Sequence, residues 1–274
     1  MSDRLRLRPT YVGIAKEVIV RAQVAGWRLG GGGAPPAGLR VLTYHRVSGD
    51  RDQLAVTPTR FRRQLDRIAR LGVPVVDLAD AVAAPPVGDA IALTFDDGYR
   101  DFADHALPEL VRHGFPATVF VCPAVIAGSA SFSWYPPGRQ PPLLDWEEMR
   151  GIERVTGARF EPHTLTHPDL GALDDEQAWH EIAGSRASVG RELGREPRAF
   201  CYPGGYVSER DVRLVERAGY TCAVTTEEGV NVAGGNVFRL VRTQIDRYDG
   251  DAVFAARLHG AIDGGVVGRN RRAT

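Results

Sequence analysis

Three cysteines in 274 residues, Cys122, Cys201 and Cys222, are an odd number and offer no even disulfide framework. All three lie in apolar, strand-like runs, which points to a reducing compartment and a cytoplasmic location. Net charge is also missing. Thirty-four Lys and Arg balance 34 Asp and Glu, so no nucleic-acid partner is expected. No stretch supplies the roughly 20 consecutive apolar residues that a membrane-spanning helix needs. Near the N-terminus, Lys16, Glu17 and Arg21 interrupt any signal-peptide hydrophobic core.

What is present is an alternation of apolar strand-like runs with amphipathic helices, the pattern of a mostly parallel α/β sheet. Helices are expected over 58–71, 102–114, 145–154, 175–193 and 209–219, and strands over 40–45, 74–76, 90–95, 117–122, 157–160, 198–202, 220–225 and 237–243. Thr57-Pro58 opens the first helix with a cap and a first-position proline, and Phe61, Leu65 and Ile68 form its buried stripe. Ser208 and Asp211 resemble a capping box for the last. Residues 11–28 place Val12, Ala15, Val18, Ile19, Ala22 and Trp27 at near-helical spacing. This basic amphipathic helix either packs on its own domain or makes peripheral contact with a membrane surface. The expected organisation is an N-terminal helical segment in 1–28, a Gly/Pro linker over 29–38, a main domain over 39–262 and a basic coil tail over 263–274.

The most informative residues are Asp96 and Asp97, in Leu93-Thr94-Phe95-Asp96-Asp97-Gly98-Tyr99. Neighbouring side chains on a strand point to opposite faces, so two consecutive carboxylates share a cavity only where the strand ends. Gly98 marks that end. Downstream, His163-Thr164-Leu165-Thr166-His167 can bring two imidazoles to one point. Pro162 and Pro168 flank this motif and argue against a helix, placing it on a loop after a strand. One Asp with two neutral imidazoles is a three-ligand set that leaves positions open on a divalent ion, and the other Asp is free to act as a base. Zn²⁺ suits such ligands best, with Co²⁺, Ni²⁺ and Fe²⁺ as alternatives.

Three ordered motifs, Thr94-Phe95-Asp96-Asp97-Gly98, His163-Thr164-x-x-His167 and Phe200-Cys201-Tyr202-Pro203-Gly204-Gly205, resemble those of the polysaccharide deacetylases, the NodB-homology or carbohydrate esterase family 4 enzymes. The resemblance covers roughly residues 39 to 245. It implies a distorted (β/α) barrel of about seven strands and metal-dependent removal of an N-acetyl or O-acetyl group from a sugar. It also implies that Asp96 is the general base and that Asp97, His163 and His167 hold the metal.

The chain departs from the family pattern twice. Many members carry an Arg two residues before the proline of the third motif, where this chain has Cys201. Arg242 resembles an Arg found after the last barrel strands in relatives and is the candidate to orient Asp96, with Arg198 as the alternative. The C-terminal Leu-x-His strand of many members is also missing, since His259 reads as the tail of a helix. Instead, Val41-Leu42-Thr43-Tyr44-His45 resembles the N-terminal Tyr-His strand of a circularly permuted branch, which makes His45 the candidate general acid. His105, His113, His180 and His259 receive no role.

Pro203 has no N–H, so Gly204 supplies the first backbone donor of its turn for an oxyanion, and family resemblance points to the same amide. Tyr202, Pro203 and Gly205 are expected to line the substrate, with Gly205 permitting close approach. Trp134 and Tyr135, in the long proline-rich stretch 123–144, are candidates to stack on sugar faces. The expected partner is an acetylated amino-sugar, glycolipid or oligosaccharide. Two other readings are a hydrolase of another non-peptide C–N bond and a non-catalytic carbohydrate-binding domain.

Overall fold

Two strands buried at every position form the centre of the sheet: β1 (Leu39–Tyr44) and β4 (Ala90–Phe95). Such continuous burial is the signature of parallel strands covered on both faces. They pair in parallel from Leu39 opposite Ala90 to Tyr44 opposite Phe95. β5 (Ala117–Val121) and β6 (Ala158–Pro162) extend one edge, and β9 (Arg242–Gln244) joins the other, giving the order β6-β5-β4-β1-β9. β7 (Ala199–Cys201) and β8 (Cys222–Val224) form a second parallel pair. A small pair, β2 (Arg46–Val47) with β3 (Ala55–Val56), follows β1. The computed structural model describes residues 37–261 and 263, together with residues 18, 21, 22, 25 and 26, which are helical. Most of the helix expected over 11–28, most of the linker and nearly all of the tail lie outside the described residues.

The five-stranded sheet and the β7-β8 pair together make seven strands. A bridge between Val224 and Leu240 ties β8 to the chain entering β9. Between β6 and β7, a side chain stands in for the backbone ladder. Glu161, 3% exposed, accepts the Arg198 N–H at 2.7 Å and the Ala199 N–H at 3.0 Å, and pairs with Arg195 at 2.9 Å. Burial pushes the Glu161 carboxyl up despite these donors. This is the distorted (β/α) barrel, with its seam at Glu161.

The helices are α1 (Pro58–Leu71), α2 (Leu78–Ala83), α3 (Leu107–His113), α4 (Pro123–Ile126), α5 (Trp146–Val155), α6 (Asp175–Leu193), α7 (Glu209–Arg217) and α8 (Asp251–Leu258). α1 and α6 begin and end where expected. Thr57 accepts the Arg60 N–H, Gly72 closes α1 in the left-handed region, and Phe61, Leu65 and Ile68 are buried. Reciprocal capping boxes open α5, α6 and α7. The helix expected over 102–114 begins as a wider π turn, Phe102–Ala106, before α3. The one expected over 209–219 stops at Arg217, because Gly219 takes φ 90°.

Two expected strands lose most of their length. The stretch 74–76 reduces to a bridge between Val75 and Ile91. The stretch 237–243 begins as a turn, where Asn236 accepts from the Phe238 and Arg239 amides, and becomes a strand only at Arg242. α2, α4 and the β2-β3 pair were not anticipated. No helix among the described residues is long and apolar enough to cross a membrane.

Candidate metal centre and active site

The ends of β4 and β6 bring the residues of the first two motifs together. β4 ends at Phe95, so Asp96 and Asp97 leave the sheet in succession. Asp97 takes φ 76° and Gly98 φ 70°. A Cβ on Gly98 would lie 2.8 Å from Val121 Cγ1, so only glycine lets the turn pack on β5. β6 ends at Pro162 and delivers His163. Among the described residues, Asp97, Thr164 (φ 63°) and His167 (φ 64°) are the only non-glycine residues in the left-handed region. Such conformations cost on the order of 1–3 kcal/mol each and persist where surroundings enforce them. All three lie in the two motifs.

Ligand atoms of Asp97, His163 and His167 lie within 4.8 Å of one another. The two imidazoles stand edge to face at 4.6 Å. His163 Nδ1 lies 2.8 Å from the Cys201 carbonyl, which fixes that nitrogen as the donor and leaves Nε2 free to coordinate. His163 Nε2 is 4.0 Å from Asp97 Oδ1. That oxygen is buried with no hydrogen-bond partner. Burial and then the neighbouring Asp96 push the Asp97 carboxyl well up. Burial and then His167 push His163 down to about 3. One carboxylate oxygen without a partner and two imidazoles converging on it form a donor set that fits a divalent ion.

Asp96 has a different environment. Arg242, 1% exposed, bonds both carboxylate oxygens at 2.8 Å, and its Nε donates to the Thr225 carbonyl at 2.7 Å. Burial alone would raise the Asp96 carboxyl. The Arg242 guanidinium overrides it and holds the group well below the usual carboxylate range. Arg242 pairs with Val41 in the middle of β1, so it reaches Asp96 from inside the barrel. The sulfur of Cys201 takes a place in this contact, 3.2 Å from Arg242 Nη2 and 3.8 Å from Asp96 Oδ2. Arg198, the alternative partner, pairs instead with Asp77 and Asp80.

His45 follows β1 with its Nε2 4.0 Å from Asp96 Oδ2 and its buried Nδ1 without a partner. Burial lowers its pKa, and the Asp96 charge opposes that shift. β1 lies between β4 and β9, which brings the N-terminal Tyr-His strand beside Asp96.

The third motif is arranged differently from expectation. Gly204 is exposed, with φ 62°. Tyr202 is fully buried and donates to the Phe238 carbonyl at 3.1 Å, and Pro203 is buried as well. These two side chains form core and not a substrate wall. Gly205 is required by Thr226, whose Oγ1 would lie 2.0 Å from a Cβ at that position. The close approach that requires this glycine is between two segments of the chain.

In the long stretch 123–144, the aromatics divide. Phe132 is 2% exposed and Trp134 is 41% exposed. Trp134 stacks on Phe132 at 4.6 Å and meets His167 edge to face at 4.9 Å. Tyr135 donates to Asp52 Oδ2 at 2.9 Å. Arg46 binds Asp50, Asp52 and Asp101, tying the loop after β2 to the turn after Asp97. That network was not anticipated, although an Arg directly after His45 in an apolar run was its visible signal. Glu181, on α6, was missed as well.

The polysaccharide deacetylase family model matches residues 83–223. A Bacillus subtilis protein named as a polysaccharide deacetylase, YxkH, is 26% identical over 228 residues, covering 81% of this chain and 77% of that protein. The fold is shared with IcaB from Ammonifex degensii, with a TM-score of 0.68, 24% identity and coverage of 81% of this chain and 98% of that one. It is shared also with the Streptococcus pyogenes deacetylase PplD in complex with acetate, with a TM-score of 0.66, 24% identity and coverage of 77% and 93%. The chain belongs to the polysaccharide deacetylase family.

Proposed function

We propose that this protein hydrolyses the N-acetyl or O-acetyl group of an acetylated amino-sugar, in an oligosaccharide or glycolipid, with a divalent ion held by Asp97, His163 and His167. The observation that carries this reading is the partnerless, buried Asp97 Oδ1 facing two imidazoles beside a second carboxylate held separately by Arg242. The ion, Zn²⁺ as first choice and Co²⁺, Ni²⁺ or Fe²⁺ as alternatives, supplies Lewis acidity and activates water.

The residues divide the remaining work. Asp96, kept ionised by Arg242, accepts the proton of the attacking water at its carboxylate. The Gly204 N–H donates to the acetyl oxygen as it gains charge. His45 gives a proton to the departing nitrogen, because an amine leaves poorly unless it is protonated. The exposed face of Trp134 beside His167 offers the sugar a stacking surface.

The test is release of acetate from acetylated amino-sugar oligomers by purified protein, measured before and after chelation and after Zn²⁺ is restored. Activity that is lost and then recovered supports the reading. Turnover that survives complete metal removal overturns it.

A further inference from the structure

Two histidines four residues apart converge here only because the loop between them is held in an unfavourable shape, with both Thr164 and His167 left-handed. The hydroxyl of Thr164 accepts the His167 N–H at 3.0 Å, which closes the turn from within. From outside, the loop is held by Glu181. Its Oε2 accepts the Leu165 N–H at 2.8 Å and the Thr166 N–H at 3.0 Å, and its Oε1 accepts the Thr166 hydroxyl at 2.7 Å. Three residues along α6, Gly184 leaves a notch where a Cβ would lie 2.8 Å from Leu165 Cδ1. Residues three apart share a helix face. One face of α6 therefore binds both the backbone and the side chain of this loop, while the Ala124 N–H anchors the Leu165 carbonyl at 3.0 Å.

We propose that Glu181 is a positioning residue for the metal centre, holding the turn that aims His163 and His167 at one point. The proposal rests on the reading of Asp97, His163 and His167 as ion ligands. Glu181 touches neither imidazole and acts through Leu165 and Thr166. Its contribution is two acceptor oxygens and not its charge. A glutamine can keep that pattern, accepting both amides with its oxygen and donating its NH₂ to the Thr166 hydroxyl. An alanine leaves two N–H groups and a hydroxyl without their partners.

The experiment measures Zn²⁺ affinity of the full-length apo-protein by competition with a chromogenic chelator, with circular dichroism and Tm of each apo form in parallel. Glu181→Ala is expected to weaken Zn²⁺ binding about 10–100-fold, the range for residues that orient metal ligands. Glu181→Gln should stay within about threefold of wild type, and Thr166→Val, which removes one of the three bonds, should fall between. Wild-type affinity in folded Glu181→Ala overturns the role, even if its apo Tm falls. Equal loss in the Gln and Ala variants also overturns it, since charge and not bonding would then matter. If Glu181→Ala does not fold, Thr166→Val must weaken binding and Glu181→Gln must not. A wild-type protein that takes up no Zn²⁺ overturns the metal reading together with this role.

Discussion

Asp96 and Arg242, 146 residues apart in sequence, share two hydrogen bonds of 2.8 Å inside the barrel. Burial would keep this carboxyl protonated, and Arg242 keeps it ionised. The stability linked to this lowered pKa is present above the ordinary carboxylate range and is lost only as pH falls through the depressed value. For turnover, the base should stay active well into acid.

Arg242→Gln leaves burial unopposed, so the Asp96 pKa should rise and the acid limb of kcat/KM should move up by about 1–3 pH units. Arg242→Lys keeps a charge and should shift the limb less, while losing the paired geometry and therefore kcat. An acid limb in Arg242→Gln at the wild-type position would show that another group controls it.

The two neighbouring carboxylates should separate cleanly on metal content. Asp97→Ala removes the partnerless oxygen and should weaken Zn²⁺ binding by more than about 100-fold, beyond the effect of an orienting residue. Asp96→Asn should bind Zn²⁺ within a few-fold of wild type and lose turnover. Elemental analysis after dialysis, combined with an acetate-release assay, decides the matter. Retained metal in Asp97→Ala would remove it from the ligand set.

The two motifs were legible because chemistry demands adjacent carboxylates at a strand end and imidazoles at short spacing. Arg242 was preferred to Arg198 as the partner of Asp96 only through the family resemblance. The choice depends on the register of β9 against β1, which sets Arg242 opposite Val41. Long-range register of this kind has no local signal. The packing of Tyr202 and Gly205 was illegible for a similar reason, since their neighbours, Phe238 and Thr226, come from later segments of the chain. Glu161, which replaces a ladder between two strands, looks in sequence like any acid near a proline.

His45 should matter in proportion to how poor the leaving group is. Its Nε2 lies 4.0 Å from Asp96 Oδ2, which places it to pass a proton to a leaving group beside that carboxylate. His45→Ala should keep its metal and lose about 10²-fold or more in turnover of an N-acetyl amino-sugar, the scale of general-acid contributions. Hydrolysis of 4-nitrophenyl acetate, whose leaving group needs no proton, should fall far less. An equal loss on both substrates would argue for a role in attack and not in departure.

The two glycines after Pro203 should respond unequally to alanine. At Gly205 a methyl group would meet Thr226 Oγ1 at 2.0 Å and Thr226 N at 2.3 Å, with φ at 73°. Overpacking against backbone combined with a left-handed conformation should cost at least about 2 kcal/mol. In a chain of this size that is a Tm drop of at least about 4 °C. At Gly204 the nearest atoms belong to the exposed Tyr206 ring, at 3.1 Å, which can swing away. Gly204→Ala should therefore lose only about 1–2 kcal/mol for its φ. Thermal melts of both variants test this difference. A Gly205→Ala protein as stable as Gly204→Ala would mean that the contact with Thr226 gives way easily, and the close approach of these two segments would then not explain the glycine.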